Sequence, residues 1–387
     1  MKIIFAADTS FNYFGDNYPG DEAAISAMSE VRKCFDRADF SVINLETTLG
    51  NRENYTPIRK SGPNQISLPE FKKYIEVLSP DAAGLANNHT GDFGEEPIPD
   101  TIEMLRLMGV RSFGAGANID EAYKSVKFEK DGEKIAVIAV CENEFGVATE
   151  KKAGSAGYSL GRTTAAIQSA VAEGYKAVIF FHGGNEHDPF PAPSKKELYR
   201  HFVDIGACAV VAMHTHCPQG YEFYRGAPII YSMGNFYFPA PPYPTGPRFK
   251  VWSQGYMTLL TFDGESVSFE AIPYKQDFDG VSLLEGEELA HFNKYLDAIC
   301  APIQNDELLQ KYFDAWCFTR TPVASLAAQH ERKNISAVKN LLWCEAHNDV
   351  LKAGAMLDFT EDTEELAEMS QEIKALQEMI IPKRLEK

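Results

Sequence analysis

Positive charge is scarce in this sequence. Its 387 residues carry 37 Lys and Arg against 55 Asp and Glu, a formal net charge of −18. Non-specific nucleic-acid binding needs basic surface to displace counterions, so this balance argues against it. Anionic membrane surfaces are disfavoured for the same reason. Long apolar runs are also missing, and no stretch approaches the length of a membrane span. The run before Asp8, Ile3 to Ala7, is shorter than a secretory signal requires, which predicts a cytoplasmic protein. The seven cysteines (Cys34, Cys141, Cys208, Cys217, Cys300, Cys317 and Cys344) form no CxxC pair. Free thiols in a reducing compartment are expected, and a structural zinc cluster is not. No internal repeat is visible.

Hydrophobic residues make up 44% of the chain and aromatics 12%, enough for a sizeable core. From Lys2 to Phe238 the pattern alternates β and α. Apolar runs predict strands over Lys2–Ala7, Phe40–Leu45, Ala82–Ala86, Ala177–Phe181 and Cys208–Met213. Helices are expected over Ala23–Asp36, Leu68–Leu78, Pro99–Met108, Thr163–Ala172 and Ser194–Ile205. Ser194 and Glu197 read as a capping box for the last of these. Asp131-Gly132 predicts a hairpin within Lys127–Val140. Tyr221–Phe238 and Gly255–Pro273 read as antiparallel strands around turns at Arg225-Gly226 and Asp263-Gly264, and Pro239–Pro247 reads as a loop. After about Ser282 the spacing is helical to the end. The expected organisation is an α/β domain over 1–280 and a helical C-terminal appendage over 281–387.

Polar residues recur just past the predicted strands. Asp8, Glu46, Asn88 with His89, His182, and His214 with His216 follow five of them in turn. In a mostly parallel sheet the loops beyond the carboxyl ends share one edge, so these distant residues can converge there. Carboxylate, amide oxygen and imidazole together suit one or two divalent ions of Mn, Zn, Fe or Ni. Such ions could activate a water and clamp a phosphoryl group. Glu46 is the candidate bridging carboxylate, and His89 could protonate a leaving oxygen. His214 and His216 alternate along an apparently extended segment, which would turn both to one side.

Several stretches together resemble a known family. They are Asn44-Leu45-Glu46-Thr47-Thr48-Leu49, Leu85-Ala86-Asn87-Asn88-His89 with Asp92-Phe93-Gly94, Gly114-Ala115-Gly116-Ala117-Asn118, His182-Gly183-Gly184-Asn185-Glu186, His214-Thr215-His216, and Tyr231-Ser232-Met233-Gly234-Asn235-Phe236. In that order they resemble the capsule and poly-γ-glutamate biosynthesis (CapA-like) family of the calcineurin-like metallophosphoesterase superfamily. The resemblance implies a four-layer α/β/β/α sandwich. It implies metal-ligand roles for Asp8, Glu46, Asn88, His182, His214 and His216, and an acid role for His89. The chain departs from the pattern at four places, the first being Ala7 where a Gly usually precedes the Asp. Ser10 and Met213 stand where a His is expected, and Gly183 where a Trp is usual.

Other residues have a plainer reading beside a functional one. Asn87 and Asn235 sit next to the set, and Asn235 more readily fixes backbone than performs chemistry. Glu186 could line the pocket or belong to a solvated loop. Arg59 and Lys60 could meet an anionic substrate or lie on a surface loop. Cys217 fits a buried thiol better than a soft ligand. Asn118 with Glu121 reads as a helix cap rather than a dinucleotide loop. Two functions follow. One is a metal-dependent, phosphoesterase-like hydrolase acting on a small anionic substrate or a fragment of an anionic polymer. The other, motivated by Ser10 and Met213, is a non-catalytic binding or assembly protein of polymer biosynthesis. Neither involves nucleic acid or membrane insertion, and the oligomeric state stays open.

Overall fold

The computed structural model describes residues 1–241, 249–357 and 363–386. Two sheets lie face to face at its centre. In the first, Lys2–Thr9 is followed by Phe40–Leu45, Ala82–Gly84 and Arg111–Phe113, all parallel. On its other side Gln254–Asp263, Ser266–Asp277 and Gly280–Leu283 join by antiparallel pairing. The second sheet runs Tyr221–Tyr224, Ala227–Ile230, Ala207–Met213, Lys176–His182, Glu133–Cys141, Val126–Lys130, with its four inner strands parallel.

Strand alternation explains the stacking. In Lys176–His182, Val178 and Phe180 join the core that includes the first sheet, while Ile179 and Phe181 join a separate cluster beneath helices. Phe180 meets Phe5 of the first sheet at 5.7 Å between ring centroids. Leu160–Ala172 and Pro193–Asp204 cover the outer face of the second sheet through Ile167, Ala170, Tyr199 and Phe202. Asp21–Phe35 buries Ala24, Ala27, Met28, Val31 and Phe35 and packs with Lys72–Leu78 over the first sheet. The result is a four-layer α/β/β/α sandwich.

The hairpin at Asp131-Gly132 is present, with φ of 50° and 84° at the two turn residues. Asn118 caps its helix by accepting from Glu121 N, and Glu121 accepts in return from Ala117 N. Two local expectations are corrected. Pro193, with its preset φ and no N–H, takes the first helical position, so Ser194 falls inside the helix and its hydroxyl donates to Asp349 instead. The stretch Tyr221–Phe238 is not one antiparallel unit. Gly234, at φ 79°, redirects the chain, and Asn235–Tyr237 crosses to the first sheet and pairs in parallel beside Asp8. Of the Pro239–Pro247 loop, residues 239–241 lack regular structure and 242–247 lie outside the described residues.

Beyond Gly286 the described chain is helical: Gly286–Cys300, Asp306–Arg320, Pro322–Glu331, Ile335–Trp343, Glu345–Leu357 and Thr363–Gln377. Phe292, Tyr295, Tyr312 and Met369 enter the same core as the first sheet. Among the described residues no disulfide links the cysteines. Among the described residues no helix is long and apolar enough to cross a membrane.

Candidate metal centre

The two sheets bring their strand ends to one shared edge. Asp8 lies opposite Asn44 in register, with Glu46 just beyond. His182 lies opposite Met213, so His214 and His216 follow at the same level. Asp8, Glu46, Asn88, His89, His182, His214 and His216 are all buried.

The polar side chains form two adjoining groups. In the first, ligand atoms of Asp8, Glu46 and His216 lie within 4.8 Å of one another. His216 Nδ1 lies 2.8 Å from Asn235 Oδ1, and Asn235 Nδ2 donates to Trp252 O, which fixes the amide's orientation. The Nδ1 proton of His216 is thus committed, and the Nε2 lone pair faces Glu46 Oε1 at 3.8 Å. Neither oxygen of Glu46 has a hydrogen-bond partner. Burial, then the negative charge of Asp8, pushes the Glu46 carboxyl well above its usual range.

In the second group, Asn88 Oδ1 and His214 Nδ1 each lie 3.0 Å from His182 Nε2. Asn88 Nδ2 donates to Glu144 at 2.5 Å, which leaves Oδ1 turned toward the imidazoles. Asp8 borders both groups, with oxygens 3.5 Å from His182 and 3.9 Å from His216. It also accepts from Asn44 Nδ2 at 2.8 Å and from the backbone N–H of His214 at 3.0 Å. Burial opposes its ionisation, but these partners and the imidazoles outweigh it and hold the carboxyl below its usual range. Asp8, not Glu46, is the carboxylate seen against both groups; Glu46 instead contacts His216 and His89.

His89 stands at the edge of the first group. Its Nδ1 lies 2.7 Å from Asp92 Oδ2. Its Nε2 lies 2.9 Å from Gln65 Nε2 and 3.7 Å from Glu46 Oε1. Ser10 donates to Gln65 Oε1, so the Gln65 amide N–H points at His89 Nε2 and the ring proton sits on Nδ1. Burial and the ammonium of Lys60 lower the His89 pKa and keep the ring neutral.

The remaining candidates divide. Asn87 accepts from the backbone N–H of His89 and from Thr90, so it holds the turn that presents His89. Lys60 is buried against Asp92 at 2.5 Å. Glu186 opens to solvent at the mouth of a cavity of about 360 Å³ lined also by Asn88, His89, His216 and Trp252. Arg59 is exposed and lines a different groove.

Three of the departures also have physical accounts. Ser10 serves the Gln65–His89 chain. Met213 is fully buried in the core. A Cβ on Gly183 would meet Glu142 Cγ at 2.5 Å, because the buried Glu142–Lys195 ion pair occupies that space. His214 and His216 do not alternate along extended backbone. They have φ of 101° and 54°, since the chain turns sharply once the strand ends at Met213.

Sequence reasoning passed over Asn44, Gln65, Asp92 and Glu144. Asn44 and Asp92 carried a signal: Asn44 shares strand parity with Glu46, and Asp92 follows His89 by three. Gln65 and Glu144 lie on connecting segments with no periodicity to betray them.

The donor set fits a divalent cation. A buried carboxylate with both oxygens unpartnered, facing an imidazole lone pair whose other nitrogen is committed, is what a cation completes. Asp8, Glu46 and His216 could hold one ion, and Asn88, His182 and His214 could join in holding a second.

A sandwich of two stacked sheets, with buried carboxylates, amides and imidazoles at their common edge, places the chain among α/β proteins with a candidate metal centre. The chain belongs to the family described as bacterial capsule synthesis protein PGA_cap, whose model matches residues 10–240. It is 25% identical over 254 residues to the PGA biosynthesis protein CapA of Bacillus subtilis, covering 62% of this chain and 63% of that one. It is 29% identical over 196 residues to the capsule biosynthesis protein CapA of Bacillus anthracis, covering 49% and 47%. A probable polyglutamine synthesis accessory protein of Mycobacterium tuberculosis matches at 29% over 212 residues, covering 51% and 55%. The chain thus spans between about half and just under two thirds of these relatives' lengths.

Proposed function

We propose that this chain is a metal-dependent, phosphoesterase-like hydrolase of an anionic substrate in capsule or poly-γ-glutamate metabolism, acting in the cytoplasm. The unpartnered carboxylate of Glu46 against His216 Nε2 carries the reading. The resident ions would be one or two of Mn, Zn, Fe or Ni, held by the two groups described above. Bound there, a divalent ion supplies Lewis acidity toward a phosphoryl oxygen. The chain's own residues supply orientation and a proton path. Asp92 accepts from Nδ1 of neutral His89, and Nε2, once the Gln65 amide that donates to it gives way to substrate, would take a proton from the attacking water and pass it to the leaving oxygen. Trp252 and Phe238 flank His216 and keep that side of the cavity dry.

The test is bound metal per chain together with phosphoester turnover, for wild type, Asn88→Ala and His214→Ala. Metal and turnover lost in both variants, with the fold intact, support the hydrolase. Full turnover in both would sink it.

Ser10 and Met213 favour a second reading, a binding or assembly platform of polymer biosynthesis. Ser10 is spent on Gln65 and Met213 on the core, so neither position offers a ligand. That reading expects no stoichiometric metal after Mn or Zn is supplied.

A further inference from the structure

A further group of metal-ligating side chains lies where the C-terminal helices meet the sheet edge. Ligand atoms of Glu144, Cys344 and His347 lie within 4.8 Å of one another. The chain brings the last two together locally. Cys344 ends the helix Ile335–Trp343, and its carbonyl accepts from Asn348 N, so it also opens the helix Glu345–Leu357. A residue at that position and one three further on share a face of the first turn, as in a capping box. Glu144 comes from the segment that follows Glu133–Cys141.

The group is short of partners. His347 Nδ1 is buried with no hydrogen bond, and lies 3.9 Å from Glu144 Oε1. Asn340, 8% exposed, donates Nδ2 to the same carboxylate at 2.9 Å and leaves its buried Oδ1 without a partner. Cys344 is fully buried, with its thiol directed at Glu142 Oε2 at 3.6 Å. Glu142 is already held by Lys195, and Glu144 has no Lys or Arg within ion-pair distance among the described residues. A carboxylate, a thiol and an imidazole this close, and not bonded to one another, are what a cation would join. A cavity of about 450 Å³, lined by Glu144, Asn340 and His347 among others, gives an ion a way in.

We propose that Glu144, Cys344 and His347 bind a thiophilic ion of the zinc class, at a site separate from the oxygen- and nitrogen-lined centre at Asp8, Glu46 and His216. Thiolate with imidazole selects zinc over manganese, which prefers oxygen ligands. On binding, the Cys344 thiol gives its proton to solvent and its sulfur to the ion. The lack of CxxC pairs conceals such a site, because the spacing here is Cys-x-x-His. Its position gives it a use. Glu144 also accepts from Asn88 of the first centre at 2.5 Å. The ion would clamp the C-terminal helices to the sheet edge and, through Glu144, hold a ligand of the other centre in place.

The test is titration of the full chain with Co(II) after chelator treatment, read in the near ultraviolet. A thiolate ligand gives a charge-transfer band there, and oxygen and nitrogen donors do not. Wild type should develop the band, and Cys344→Ser should abolish it. His347→Ala, at a partly exposed position, should melt like wild type in chelator and need about ten-fold more cobalt or beyond to reach the same band. Zinc should bleach the band, and excess manganese should leave it. No band in wild type, a band that survives in Cys344→Ser, or an unshifted titration in His347→Ala would overturn the proposal. So would bleaching by manganese as readily as by zinc. The hydrolase reading fails separately: full phosphoester turnover in Asn88→Ala and His214→Ala would sink that reading and leave the thiolate band of the wild type standing.

Discussion

Glu46 Oε1 faces His216 Nε2 at 3.8 Å, and no hydrogen bond satisfies either oxygen of that carboxylate. A buried carboxyl with no partner is costly whether it stays charged or is driven to take up a proton, so it makes the metal-free fold less stable than it would be with a neutral amide. With manganese at about a hundred times its Kd at one site, the wild-type melting temperature should rise by about 3 °C. Glu46→Gln should show little rise. In chelator it should melt at or above wild type. A Glu46→Gln chain stabilised by metal as much as wild type would remove Glu46 from the ligand set.

Asn235 would act on a bound metal through His216. Asn235→Leu removes the acceptor for His216 Nδ1 and should weaken metal affinity by about 10–100-fold. Asn235→Asp keeps an acceptor and should recover much of it. A metal titration of the two variants decides, and equal losses would argue for a purely structural role.

The proton path through His89 predicts a dependence on the leaving group. His89→Gln should lower kcat by about a hundred-fold on an alkyl phosphoester, which needs a proton on the departing oxygen. It should lower kcat far less on a nitrophenyl ester, which does not. Equal losses on both substrates would place His89 outside proton transfer.

Asp188 gives a pH signature of stability. Burial pushes its pKa from 3.8 up to about 8, although it accepts from Phe190 N and lies near Arg320. The folded state therefore holds this proton more tightly than the unfolded state does. Between about pH 4 and pH 8 the folded chain binds more protons, so stability falls as pH rises through that window. Asp188→Asn keeps an acceptor and cannot ionise. Urea unfolding should show the variant gaining on wild type by more than about 1 kcal/mol between pH 5 and pH 8. A constant difference would show that Asp188 titrates outside that interval.

Gly183→Ala tests the buried ion pair beneath the site. The new Cβ would press on Glu142, whose carboxylate is held by Lys195 and accepts from Gly184 N. Overpacking of this kind should cost about 1–3 kcal/mol in urea unfolding. An unchanged midpoint would mean that Glu142 can swing aside freely.

The sandwich was legible because central strands buried on both faces leave unbroken apolar runs, as in Ile135–Val140 and Ala177–Phe181. The strand-end positions of Asp8, Glu46 and His182 could be read from the same pattern. The turn at His214–His216 could not, because nothing in Met-His-Thr-His announces positive φ at both histidines. Ser194 misled because its spacing to Glu197 fits a capping box equally well whether or not Pro193 takes the first helical position. The C-terminal contributions were hidden by distance along the chain. Asn340 meets Glu144 across 196 residues and Gln377 meets the carbonyl of His187 across 190, contacts that no local periodicity encodes.

The positive φ of His214 and His216 sets the fold's interest against that of the site. Side chains larger than hydrogen strain such backbone by about 1 kcal/mol or more, so glycine at 216 would ease the turn while removing an imidazole. Mutational drift under selection for stability alone would carry these positions toward glycine or asparagine. A lineage that keeps histidine at both is paying for use, and one that has drifted has kept the architecture after giving up the imidazoles.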